Sequence, residues 1–172
     1  MRRRFIYLGL LLGAFLLQNN VFAVSPLIGA TPNLLLILTF TVGFVRGKKE
    51  GMLLGFFSGL LMDVAYGEIV GFYALIYLCI GYVNGSISQM FYTEFLNMPL
   101  LLCVLSDFLY NLYIYVFGFM VHGRMALSVY IAQVILPEVV YTSVLTLILY
   151  PLFLRLAARL DTLEKRSANR FV

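Results

Sequence analysis

The chain has 172 residues, 62% of them hydrophobic and 12% charged, with a mean hydropathy of +0.96. A soluble domain of this size carries about 25% charged residues, and no polar stretch is long enough to form one, so composition points to a single membrane domain over 1–172. The net charge of +4 does not imply nucleic acid, because the basic residues stand at the ends of apolar runs, where membrane topology puts them.

Six apolar segments are predicted to span the bilayer, over residues 5–24, 27–45, 52–66, 72–90, 98–121 and 126–154, with a basic tail over 155–172. The expected fold class is an all-α integral membrane protein with six transmembrane helices. The first segment follows Arg2, Arg3 and Arg4 and carries Gln18, Asn19 and Asn20 near its outer end. Its basic start and Val21-Phe22-Ala23 also fit a cleavable signal peptide. The long apolar run and its polar outer end favour an uncleaved helix.

The second and third segments flank the basic turn Arg46-Gly47-Lys48-Lys49-Glu50-Gly51. Gly43, Gly47, Gly51, Gly55 and Gly59 recur at a spacing of four, and Asp63 stands at the next step. Small residues at this spacing let helix backbones approach closely. The expected result is a tight hairpin of the second and third helices, packed on the fourth, where Gly81 and Gly85 repeat the spacing. The third segment is short against the ~20 residues that a crossing needs. Asp63 lies near the outer end of an outward-running helix, where the helix dipole disfavours an anion. It is expected to bond a donor on a neighbouring segment or on a partner chain. The residues expected at helix packing or partner contact are thus Gly51, Gly55, Gly59, Asp63, Gly81 and Gly85.

In the fifth segment Asp107 and Asn111 share a helix face, flanked by Tyr110 and Tyr113. In the sixth, Tyr130, Gln133, Pro137 and Tyr141 recur at steps of three and four, with Glu138 beside them. Pro137 has no N–H and leaves the carbonyl of Gln133 free, a break tolerated in membranes where polar partners are near. Asp107, Asn111, Gln133 and Glu138 are therefore expected to form a polar intramembrane seam. No Lys, Arg or His lies in the spans to pair with Asp63, Asp107 or Glu138. Each acid is expected to be protonated, hydrogen-bonded or turned to a polar cavity. Intramembrane hydrogen-bonding, a substrate or proton site, and a partner surface all fit the seam.

After the last segment, Leu152, Leu156, Leu160 and Leu163 keep helical spacing, with Arg155, Arg159 and Arg166 on other faces. That tail fits a stop-transfer anchor or a helix whose basic side chains meet lipid phosphates. Of the 12 Lys and Arg, all but Arg124 fall on the cytoplasmic side if the N-terminus is cytoplasmic and six spans follow. Both termini are then cytoplasmic.

Catalytic readings fail on inventory. His122 is the only histidine and lies between the fifth and sixth segments, so no histidine-based triad is expected in the membrane. No phosphate-cradling loop is present. An intramembrane aspartyl protease needs two carboxyls sharing a proton, but Asp63 and Asp107 are expected at different depths and lack that family's GxGD setting. Cys79 and Cys103 lie in apolar segments and read as buried reduced thiols. No enzyme activity, cofactor or metal is expected.

An ordered set of these motifs resembles the MreD family of rod-shape-determining inner-membrane proteins of bacteria. It runs through FLLQNNVF, TPNLLLIL, RGKKEG, GFFSGLLMD, the Gly71-Phe72-Tyr73-Ala74-Leu75 helix start, and IGYVNG, and is best over residues 32–85. The resemblance implies a non-catalytic scaffold or regulator of lateral cell-wall elongation in the cytoplasmic membrane. It also implies the partners: a bitopic MreC-like protein, the actin-like MreB filament, a RodA-like glycosyltransferase and its transpeptidase. The family is similar in fold to the membrane substrate-binding subunits of vitamin transporters. That similarity implies an alternative, a small-molecule-binding subunit with its pocket at Asp107, Asn111 and Glu138.

Overall fold

The computed structural model describes residues 2–22, 31–67, 69–88, 97–120 and 127–168. They form six helices, with no strand among the described residues. Helix α1 covers 2–22, α-helical over Arg2–Leu16 and widened into a π turn over Leu17–Phe22. Helices α2, α3 and α4 cover Leu34–Arg46, Lys48–Tyr66 and Phe72–Ile87. Helix α5 covers 97–120 and ends in a π turn over Tyr115–Met120. Helix α6 covers 127–168 and is interrupted by a π turn over Ile131–Ile135.

α2 is the axis of the bundle. It carries no charge between Leu34 and Phe44, and every residue of that stretch is buried. A helix that is apolar all round has no face to give to solvent and sits inside. It touches α1, α3, α4, α5 and α6. Its few hydroxyls are satisfied internally: Thr41 Oγ1 donates to the Ile37 carbonyl at 2.6 Å, and Thr39 Oγ1 donates to Ser58 Oγ on α3 at 3.2 Å. The surrounding helices turn apolar side chains outward, among them Leu12 on α1, Phe57 on α3, Leu75 on α4, Leu105 on α5 and Ile148 on α6.

Two boundaries differ from expectation for local reasons. Of the second segment, expected from residue 27, the described part begins at 31 and is helical from Leu34. Pro32 biases the chain before it away from helix, and Asn33 caps the first turn through Leu36 N–H. α2 is therefore only ~20 Å long against ~30 Å of hydrocarbon. The six-residue basic turn contracts to one residue, Gly47, at φ 89 and ψ 177. This left-handed φ favours glycine. α3 gains a charged turn at its start and reaches 19 residues, about 28 Å, while its apolar stretch stays as short as expected.

In α6 the π turn closes with Leu136 N–H on the Ile131 carbonyl, and α-helix resumes at Leu136. Pro137 thus falls in a first helical turn, where its missing N–H costs least. The wider turn changes the register of side chains around it. Gln133, expected in the seam, is exposed instead. Cys79, expected to be buried, is also exposed, whereas Cys103 is buried. Ala23, residues 25–30, His122, Arg124 and Arg170 lie outside the described residues, as do the side chains of Leu160, Leu163, Lys165 and Arg166.

Candidate functional site: a glycine-packed core and a buried polar network

The glycine ladder lies where α2, α3 and α4 meet backbone to backbone. A Cβ on Gly51 would stand 2.5 Å from Gly43 Cα and 2.6 Å from the Gly81 carbonyl oxygen. One on Gly55 would collide with the Tyr77 carbonyl, and one on Gly59 with Ala74 Cα and the Tyr73 carbonyl. Gly85 faces Lys48 beside the α2–α3 turn, with Lys48 Cα 2.5 Å from where its Cβ would be. Ala74 is itself inside this contact and 2% exposed, so the ladder has a facing row on α4. Gly9 and Gly13 on α1 have open space where a Cβ would go.

Asp63 closes the other end of the α3–α4 pair. Its Oδ1 accepts from Tyr73 N–H at 2.7 Å, and its Oδ2 accepts from Gly71 N–H at 2.9 Å and Ala74 N–H at 3.1 Å. The acid ends α3 in sequence but caps α4 in space. The positive end of the α4 dipole and its otherwise orphaned N–H groups offset the unfavourable end of α3. Gly71, at φ 104, turns the chain so that these N–H groups converge. The donor expected on a neighbouring segment is a set of backbone groups rather than a side chain.

The start of α2 shows a full accounting of its first donors. Leu34 N–H reaches the Pro32 carbonyl at 3.2 Å, and Ile37 N–H the Asn33 carbonyl at 3.1 Å. Leu36 N–H donates to Asn33 Oδ1 at 3.0 Å. Leu35 N–H donates to Gln18 Oε1, on α1, at 3.3 Å. Tyr77 on α4 donates its hydroxyl to the same Asn33 Oδ1 at 2.7 Å, and Asn33 N–H donates to Thr142 Oγ1 on α6 at 3.2 Å. Asn33 thus ties the start of α2 to α4 and α6, and Leu35 N–H ties the same turn to α1. Non-helical backbone at membrane depth is tolerated only when enclosed in protein in this way.

α5 joins the core through further polar pairs. Asn84 Nδ2 on α4 donates to Ser106 Oγ at 2.8 Å, and Tyr113 donates its hydroxyl to the Phe72 carbonyl at 3.3 Å. Cys103 Sγ and Thr146 Oγ1 on α6 lie 3.1 Å apart. The Tyr77 and Tyr110 rings meet edge to face at 5.3 Å. Asn111 does not bond the Asp107 carboxyl; its Nδ2 donates to the Asp107 backbone carbonyl at 3.1 Å. Its side chain faces Glu138, which is half-buried and within electrostatic reach of Asp107. Asp107 is 0% exposed, and neither carboxyl oxygen has a hydrogen-bond partner. The Thr142 hydroxyl faces it outside bonding geometry. The structure therefore brings Asp107, Asn111 and Glu138 together and leaves out Gln133.

Gln18, Asn33, Tyr77 and Thr142 join the network without having been singled out as site residues. Asn33 alone carries a local signal, an amide immediately before an apolar run. Among the described residues no group of three or more His, Cys, Asp or Glu could hold a metal ion. The network's hydrogen bonds at Gln18, Tyr77, Asn84 and Thr142 run from helix to helix.

The family model described as "rod shape-determining protein MreD" matches residues 2–160. The chain belongs to the MreD family. No curated protein and no solved structure matches it. Membership assigns the chain a part in rod-shape determination and places it among membrane proteins. Among the described residues, two stretches are long and apolar enough to cross a membrane, Met98–Gly118 and Leu127–Arg159; Ile6–Asn20, Leu34–Arg46 and Phe72–Ile87 are apolar but shorter.

Proposed function

We propose that this MreD-family chain is a non-catalytic membrane scaffold of the wall-elongation machinery, acting by helix contact with a bitopic MreC-like protein. Its contacts to a RodA-like glycosyltransferase, a transpeptidase and the MreB filament are direct or pass through that partner. All six helices lie in the bilayer as one domain, with both termini cytoplasmic. The observation that carries the rod-shape role is the family match over residues 2–160. The scaffold reading is supported by the fold: backbones locked at Gly51, Gly55 and Gly59 make a rigid support for the outward apolar faces. The exposed apolar side chains on every peripheral helix support six embedded helices, including those below spanning length.

Co-expression with an MreC-like protein is the test. The expected result is a complex that survives detergent purification. Failure to co-purify, together with a tightly retained small molecule, would replace this reading with the transport-subunit alternative.

A further inference from the structure

We propose that Asp107 and Glu138 form a binding site for one small monovalent cation, a proton or an alkali ion, at the centre of the bundle. The inference goes beyond the scaffold reading and does not depend on which partner is bound. Asp107 lies ~14 Å along α5 from Met98, and Glu138 lies ~16 Å along α6 from Leu127. The helices run in opposite directions, so the two carboxyls come to one depth, halfway through ~30 Å of hydrocarbon. Independently of that pairing, both Asp107 oxygens are fully enclosed and have no donor. A bare carboxylate cannot persist there without a positive charge.

The surroundings supply oxygen and no counter-charge. Thr142 and Cys103 lie by Asp107, Tyr77 lies within reach of both acids, and Tyr110 and Tyr130 lie within reach of Glu138. α2 contributes Asn33, bonded to both Tyr77 and Thr142. All titratable groups on that roster are neutral or acidic, so the charge must come from a mobile ion. Glu138 is half-buried and Asp107 enclosed, which gives an ion a rim group and an inner group. The Thr142 hydroxyl already accepts from Asn33 N–H. A cation at Asp107 would therefore tighten the link between α5, α6 and the start of α2.

The test is thermal melting of the purified full chain, varying pH at fixed sodium and then sodium against choline at fixed pH. Stabilisation by acid alone supports a proton, and stabilisation by sodium alone supports an alkali ion. Loss of either dependence in both Asp107→Asn and Glu138→Gln, with Glu50→Gln retaining it, assigns the effect to this pair. A wild-type protein indifferent to both ions overturns the proposal, as does a dependence that persists in both variants. If neither variant folds, infrared spectroscopy of the wild type decides. A buried protonated-carboxyl band, or a carboxylate band shifted by sodium, supports the site, and absence of both overturns it.

Discussion

Asp63 shows how one residue serves two helices. It accepts three backbone N–H groups from the first turn of α4. Asparagine keeps the shape but turns an NH2 toward donors, so Asp63→Asn should lose at least one bond and the charge–dipole attraction, about 1–2 kcal/mol. Asp63→Leu should cost roughly twice that, because none of the N–H groups is then met. Melting curves of both purified variants check the order; an Asp63→Asn protein as stable as wild type would remove the capping role. Asn33 makes a parallel case. Asn33→Ala removes the cap of α2 and strands the Tyr77 hydroxyl, with an expected loss of about 2–4 kcal/mol in the same measurement. The cap is legible in sequence as an amide before an apolar run. Its ties to Tyr77 and Thr142 join residues 44 and 109 positions apart, and no local pattern reports those.

At the scale of elements, α3 and α4 are specified by what they lack. Glycine leaves a readable pattern because a missing side chain every fourth position makes a flat stripe, and a flat stripe has few uses except close approach. Its facing row was legible only at Gly81 and Gly85, because Ala74 and the carbonyls of Tyr73 and Tyr77 do not continue it as glycines. Gly55→Ala should cost about 1–3 kcal/mol, since its Cβ meets backbone that cannot swing aside. Gly9→Ala, with open space around it, should be neutral or gain about 0.5–1 kcal/mol. Equal melting temperatures for the two variants would show that the ladder does not hold the helices. The register of α6 was beyond sequence reasoning for a different reason. Periodicity assumes a uniform helix, and the π turn at Ile131–Ile135 turns Gln133 to the outside.

Across the whole molecule, the closest backbone approach joins α2, α3 and α4, while α5 and α6 meet that unit through side chains: apolar and aromatic packing such as Phe40 on Tyr150 and Tyr77 on Tyr110, and hydrogen bonds such as Asn84–Ser106 and Asn33–Thr142. Cytoplasmic termini are the proposed topology, resting on the basic residues at the ends of the apolar runs. Alkaline phosphatase fused after Val172 should be inactive and fused at Gly123 active. The reverse pattern would overturn cytoplasmic termini. The enclosure of α2 also carries a consequence for synthesis. This helix is shorter than the hydrocarbon is thick, and donors at its start rely on Gln18 of α1 and Thr142 of α6. It cannot rest in lipid as a finished unit when it leaves the ribosome. A nascent chain that stops short of Thr142 lacks the group that receives Asn33 N–H, and the start of α2 is left with a donor to satisfy. The last helix to be made therefore completes the second.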